Sequence, residues 1–142
     1  MAIVLWPGDI SYVDRIQSLL AAAVGNPSEQ SLMALLNGTY RESGARLDMI
    51  FDGPELVGVV GSLRIHPGLV EILHMAVDAP YRGKGWGRMA IRHLRTDLYP
   101  DVWLMAETDR DAVGFYAELG FHVTSLGEKY PGRERFQCLL KP

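Results

Sequence analysis

The feature that most constrains this chain is a glycine-rich, basic stretch set between two segments of different period. Ile72 to Val77 is an apolar run with strand character, and Met89, Ala90, Leu94 and Leu98 recur at helical spacing. Between them lies Arg82-Gly83-Lys84-Gly85-Trp86-Gly87-Arg88. The chain must therefore pass from a strand through a sharp loop into a helix whose first N–H groups lack intrahelical partners. Glycines let the backbone turn and come close to a ligand, while the helix dipole and Arg82, Lys84 and Arg88 supply positive potential. The stretch suits a pyrophosphate.

Spacing separates the phosphate-binding loops this could be. A Walker loop needs Gly-Lys followed by Ser or Thr, and Lys84 is followed by Gly85. Gly85-Trp86-Gly87-Arg88-Met89-Ala90 fits the dinucleotide fingerprint G-x-G-x-x-A, with Glu107 near the distance of a ribose-binding acid. That fingerprint puts its first glycine at the strand end, whereas Pro80, Arg82 and Lys84 intervene here. A dinucleotide-dependent oxidoreductase is thus a distant alternative.

Arg82-Gly83-Lys84-Gly85-Trp86-Gly87 resembles the R/Q-x-x-G-x-G/A loop of the GNAT superfamily of acyl-CoA-dependent N-acetyltransferases. Downstream, Phe115-Tyr116-Ala117-Glu118-Leu119-Gly120-Phe121 is similar to that family's F-Y-x-x-x-G-F segment. The two motifs stand in the family's order and separation, so the resemblance covers nearly the whole chain, with the N-terminal third matched only in pattern.

With 142 residues the chain fits one domain, 1–142, large enough to bury a core without staples. No segment has the apolar length of a bilayer span, and no membrane partner is expected. Met1 to Trp6 is apolar but lacks a basic leader and is too short for a signal peptide, so a cytoplasmic location is expected. A net charge of −3 argues against nucleic acid as the partner. The single cysteine, Cys138, excludes an intrachain disulfide and reads as a small buried hydrophobe. His66, His74, His93 and His122 lack zinc-site spacing, so no metal is expected.

In chain order, Ile3 to Trp6 reads as a strand, and Asp9 as the cap of a helix through about Val24, with Ile10, Val13, Ile16, Leu19, Leu20 and Ala23 on its apolar face. Gly25-Asn26-Pro27 ends it, and Ser28 caps a second helix carrying Leu32, Leu35 and Leu36, finished by Gly44. Leu47 to Phe51, Leu56 to Ile65 and Val70 to Val77 form an antiparallel meander, in which Gly58 and Gly61 mark bulges or close packing. The central helix leads to a strand at Val102 to Ala106, and a strand–helix–strand crossover implies a parallel pair. A short helix, about Asp111 to Leu119, is capped by Thr108 or Asp109 and stopped by Gly120; Phe121 to Leu126 and Arg135 to Leu140 close as a hairpin around Pro131-Gly132. The expected fold is α/β (α+β), a mixed, mostly antiparallel sheet flanked by helices in the order β-α-α-β-β-β-α-β-α-β-β. The resemblance implies the same order.

Moving an acetyl group from a thioester to an amine requires loss of the amine's proton, donors for the oxyanion, and a proton for the departing thiolate. Glu71, eleven residues before Arg82, stands where histone-acetylating members of the superfamily carry a general-base glutamate; Glu107 is the runner-up. Regular alternation puts Glu71 on one face with Leu73, Met75 and Val77, an apolar setting that raises a carboxyl pKa, and turns His74 to the other face. The plain alternative is a solvated glutamate at a strand start. The resemblance further implies a bulged strand whose backbone near Met75, Ala76 and Val77 binds the pantetheine arm and the thioester carbonyl. It implies that Arg82, Gly83, Lys84, Gly85, Trp86, Gly87 and Arg88 hold the coenzyme phosphates, and that Tyr116 protonates the thiolate; a plain core tyrosine is the alternative. Asp109 replaces an asparagine common in the family. The acyl donor implied is acetyl-CoA and the partner an amine, small-molecule or peptide, in a ternary complex, with a homodimer left open. A coenzyme-binding regulatory module is the other reading, and an intact Glu71 and Tyr116 count against it. The resemblance places the acceptor pocket at the N-terminal helices and last hairpin, with Tyr12, Tyr40, Glu128, Tyr130, Arg133 and Arg135 as candidate lining residues.

Overall fold

The computed structural model describes residues 2–24 and 27–142. Its strands are β1 (Ala2–Leu5), β2 (Arg46–Asp52), β3 (Glu55–His66), β4 (Leu69–Val77), β5 (Trp103–Asp109), β6 (His122–Tyr130) and β7 (Arg133–Leu140). They form one seven-stranded sheet in the order β1-β2-β3-β4-β5-β7-β6. Among the described residues only the β4–β5 pair is parallel, as the crossover predicted. The helices are α1 (Val13–Ala21), α2 (Glu29–Ala34), α3 (Trp86–Arg92) and α4 (Arg110–Glu118); α2 and α3 each continue into a wider π-helical segment, Leu35–Glu42 and His93–Leu98. The predicted element order holds.

Each face of the sheet carries its own core. On one, α3 and α4 bury Ala90, Ile91, Leu94 and Tyr116 against Val60, Val70, Ile72, Leu104, Ala106 and Cys138. On the other, α1 and α2 bury Ile16, Leu20, Leu32, Leu36 and Tyr40 against Leu47, Met49, Val59 and Ala76. Period-2 alternation along the strands feeds both clusters at once, as a sheet covered on two sides requires.

Several local expectations change. Asp9 does not cap α1; its carboxylate accepts from the Ser11 N–H at 3.0 Å in a turn, and the helix begins three residues later than that turn's Ile10, which is 89% exposed. Tyr12, at φ 65°, takes the left-handed position before α1. The stop at Gly25-Asn26-Pro27 lies partly outside the described residues. Ser28 does cap α2, in a reciprocal box with Ser31. Met89, placed on the apolar stripe of α3, is 39% exposed. Strands β6 and β7 run further than expected, meeting at Tyr130 and Arg133, because the polar, exposed residues of that hairpin carry no alternation to read.

Gly58 and Gly61 serve in both predicted ways. Each lies beside a register shift, and a Cβ at Gly58 would press the Ala76 carbonyl at 2.8 Å, while one at Gly61 would overlap the Tyr40 hydroxyl.

Candidate active site

The site begins at a fault in β4. Gly61 pairs with His74 and Ser62 with Ile72, so Leu73 is an extra residue without a partner on β3. On the other edge, β4 pairs with β5 only from Leu69 to Ile72. Beyond Ile72 the two parallel strands part, and the backbone from Leu73 to Val77 has no β5 neighbour among the described residues. A cleft of about 970 Å³ opens at that gap.

The bulge corrects the predicted facing. Val70, Ile72 and Met75 pack toward α3 and α4, whereas Leu73 and Ala76 pack toward α1 and α2. Glu71 therefore shares its face with Leu73 but not with Met75 or Val77, and the extra residue brings His74 to Glu71's side, where it meets Tyr40. Glu71's neighbours are instead its partners Leu63 on β3 and Met105 on β5. Burial first, and the nearby Glu107 second, push its carboxyl above the usual glutamate range. Glu107 is shifted the opposite way: Lys129 Nζ at 3.0 Å and Arg135 Nε at 3.4 Å donate to its Oε1 and hold it ionised at lower pH. A carboxylate so engaged is a poor proton acceptor, which separates the two candidates.

The basic loop forms one wall of the cleft through Arg82, Gly83, Gly85, Trp86, Gly87 and Arg88. Gly83 and Gly85 hold φ of 74° and 91°, where a side chain would be strained, and Gly85 directly precedes α3. Gly87 has a different reason. A Cβ there would meet the Phe115 ring at 3.0 Å, so the glycine loop and the Phe115–Phe121 motif are mutually fitted across the α3–α4 contact. Arg82 Nε donates to the Val77 carbonyl at 2.8 Å, tying the loop to the end of β4, and Arg15 grips the Asp78 carboxylate at 2.7 Å from α1.

Not every predicted residue reaches the cleft. Met75 and Val77 line it, whereas Ala76, Lys84 and Glu71 are not among its lining residues: the Lys84 side chain is exposed, and Ala76 packs its methyl into the core under α1 and α2 while its backbone stays without a β5 neighbour. Asp109 caps α4 by accepting from the Ala112 N–H at 3.0 Å. Its carboxylate is thus committed to a helix N-terminus, which accounts for an acid so near a proposed phosphate site.

Tyr116 stands across the gap from these groups, its ring packed edge-on against Phe115 and Phe121 at centroid distances of 5.1 and 5.2 Å. The residue is buried, yet its hydroxyl bonds to no protein group among the described residues and is not sealed in the core; it opens on the cleft. Burial raises its pKa, so the phenol keeps its proton at neutral pH.

A second cavity, of about 1320 Å³, adjoins the first through Glu107, Asp109, Asp111 and Arg135 and is walled by the end of α1 and the β6–β7 hairpin. Glu128, Tyr130, Arg133 and Arg135 line this cavity. Tyr12 does not; its ring meets Phe51 edge to face at 5.3 Å, and Tyr40 is buried with its hydroxyl on His74. His74 is the histidine that stands on the strand entering the loop, but regular alternation turns it to the face opposite Glu71; the bulge instead puts it in the cleft.

The profile of the Acetyltransferase (GNAT) family matches residues 13–121, a span that includes the bulged strand, the glycine loop and the Phe115–Phe121 motif. The chain belongs to that family. Acetyl-CoA is the family's co-substrate. Among curated proteins, the chain is 35% identical over 91 residues to a mycothiol acetyltransferase of Corynebacterium glutamicum (strain R), covering 59% of this chain and 30% of that protein. The chain thus spans under a third of that relative's length. Among solved structures, it resembles an IAA acetyltransferase from Bacillus cereus ATCC 14579, with TM-score 0.76, 19% identity and 99% of each chain covered. A mutant of a spermidine N-acetyltransferase from Vibrio cholerae matches with TM-score 0.76 and 15% identity over 99% of this chain and 95% of that one. At such identities the likeness is one of fold. Among the described residues, no helix is long and apolar enough to cross a membrane.

Proposed function

We propose that this GNAT domain is an N-acetyltransferase that moves the acetyl group of acetyl-CoA to an amine by direct attack in a ternary complex. The observation that carries the reading is the parting of β4 from β5 after Ile72, which leaves a gap between the glycine loop and the Tyr116 hydroxyl. The residues fit the coenzyme. Gly83, Gly85 and the first turn of α3 offer N–H groups, and Arg82 and Arg88 offer charge, to a pyrophosphate; the edge of Leu73 to Val77 that β5 leaves free offers hydrogen bonds to a pantetheine amide and to the thioester carbonyl.

In this reading Glu71, which does not itself line the cleft, takes the amine proton through water. The amine nitrogen bonds to the acyl carbon, the carbon–sulfur bond breaks, and sulfur receives the electron pair together with a proton from Tyr116. The raised pKa of Glu71 brings a carboxylate closer to the range a base needs at neutral pH. The acceptor enters from the cavity beside the β6–β7 hairpin, whose lining mixes the acids Glu128 and Asp111 with the bases Lys129 and Arg133, while Glu134 is already paired with Arg110. Two of the similar proteins are named for spermidine and for mycothiol, so polyamines and thiol-bearing metabolite amines both belong in the screen.

Calorimetry with acetyl-CoA, CoA and NADH, followed by thiol release from acetyl-CoA against a panel of polyamines, amino sugars, amino acids and peptide N-termini, tests this. Acetyl-CoA binding with amine-dependent thiol release is the expected result. NADH binding without acetyl-CoA binding contradicts it, and acetyl-CoA binding with no turnover on any amine class points to a regulatory module.

A further inference from the structure

His74 is the titratable side chain that the bulge delivers into the cleft, and its surroundings are built around it. The Tyr40 hydroxyl lies 2.6 Å from its Nδ1, with the two rings edge to face at 5.8 Å. That contact exists because Gly61, the cross-strand partner of His74, has no side chain; a Cβ there would occupy the place of the Tyr40 hydroxyl. A glycine, a bulge and a buried tyrosine from the π-helical segment after α2 therefore converge on one imidazole nitrogen.

Hydrogen-bond completeness sets the tautomer. The Tyr40 hydroxyl is buried, keeps its proton because burial raises its pKa, and has His74 as its one partner among the described residues. If Nδ1 donated to it, the phenol's own hydrogen would be left unbonded in the core, an unmade bond that folded proteins avoid. Tyr40 therefore donates to Nδ1. Burial also lowers the pKa of His74, which keeps the ring neutral near pH 7, so its single proton sits on Nε2. That nitrogen bonds to no protein group among the described residues, is not sealed in the core, and faces the cleft that His74 lines.

We propose that His74 is a further catalytic residue, whose Nε2–H, fixed by the positioning residue Tyr40, donates to the acyl carbonyl oxygen as it becomes an oxyanion. This rests on the acetyltransferase reading. A sulfur beside Tyr116 lies on the α3–α4 side of the sheet, and its acyl group passes through the gap beyond Ile72 to emerge on the α1–α2 side, where His74 stands. A neutral imidazole suits this role, since it supplies a fixed donor without repelling a cationic amine. It does not compete with Glu71 for the amine proton, because the Nε2 lone pair is already used by hydrogen.

The test needs no acceptor. Acetyl-dethia-CoA, with a methylene in place of sulfur, keeps the carbonyl but cannot react; CoA lacks the carbonyl. Long-range ¹H–¹⁵N spectra of the full chain labelled at histidine read the tautomer directly. The expected result is Nε2–H in the free protein, an Nε2 shift with acetyl-dethia-CoA that CoA does not reproduce, and loss of the single tautomer in Tyr40→Phe. In calorimetry, His74→Leu should weaken acetyl-dethia-CoA by about 2–10-fold with CoA unchanged, and His74→Gln, whose amide N–H reaches a similar place, should restore most of it. An Nδ1–H tautomer, a charged ring at neutral pH, or equal responses to the two ligands overturns the role of His74 while leaving the acetyltransferase reading intact. Binding of neither ligand overturns both.

Discussion

The face of the sheet under α3 and α4 and the face under α1 and α2 contribute to the same cleft by different means. On the first, the groups proposed to handle the coenzyme are set by short sequence: glycines at positive φ, a helix start, and a Phe115–Phe121 segment whose first ring fits against Gly87. On the second, Glu71 and His74 depend on long-range partners, namely Leu63, Met105, Gly61 and Tyr40. A local motif fixes backbone shape and so survives changes elsewhere, whereas a side chain placed by a bulge and a distant tyrosine depends on the whole sheet.

The two faces should fail differently under mutation. The largest effect belongs to the acceptor face: Glu71→Gln should lower turnover by about 10²–10⁴-fold and leave acetyl-CoA affinity unchanged. Because the carboxyl titrates above the ordinary glutamate range, the wild-type rate should rise with pH through that raised pKa, and the variant should lose this acidic limb. Retention of the limb in a pH–rate profile would move the base elsewhere.

On the donor face, Tyr116→Phe should cost about 10–10³-fold in rate with little change in coenzyme affinity or melting temperature, since the ring packing stays and no protein partner loses a bond. A core tyrosine would instead lose about 0.5–1.5 kcal/mol of stability at full activity, which unfolding and turnover on the same variant distinguish. Gly85→Asp acts on binding alone. It sets a side chain at φ 91° and an anion before α3, so affinity for acetyl-CoA should fall by about 10–100-fold by calorimetry.

The smallest effect sharpens the link between the faces and the hairpin. Glu107 has a lowered folded pKa, so its ion pairs with Lys129 and Arg135 stabilise the fold above the usual glutamate range and are lost as pH falls through the lowered value. Lys129→Ala should change stability by only about 0–1 kcal/mol, because the pair is half exposed. It should also move Glu71's acidic limb slightly upward in pH, by removing the cation that offsets Glu107. An unmoved limb would uncouple the two carboxylates.

The same contrast explains what the sequence revealed. The element order, the parallel crossover, the Ser28 and Asp109 caps and the basic loop were legible because each rests on local period, turn chemistry or a short motif. The facing of Glu71 and His74 was not, since one extra residue at Leu73 inverts alternation and nothing within β4 marks it. Gly61, on the preceding strand and paired with His74, was the available sign. The start of α1 was misread because Asp9 satisfies a turn N–H as readily as a helix N-terminus.

The central claim is that β4 beyond Ile72 is left open by β5 so that acetyl-CoA can take its place beside the strand. Amide hydrogen exchange along β4, with and without acetyl-CoA, tests it directly. The amides of Leu73 to Val77 that point away from β3 should exchange fast in the free protein and slow markedly on binding, while Leu69 to Ile72, already paired on both edges, should stay protected throughout. Protection that rises equally along the whole strand, or not at all between Leu73 and Val77 at saturating coenzyme, would contradict the account.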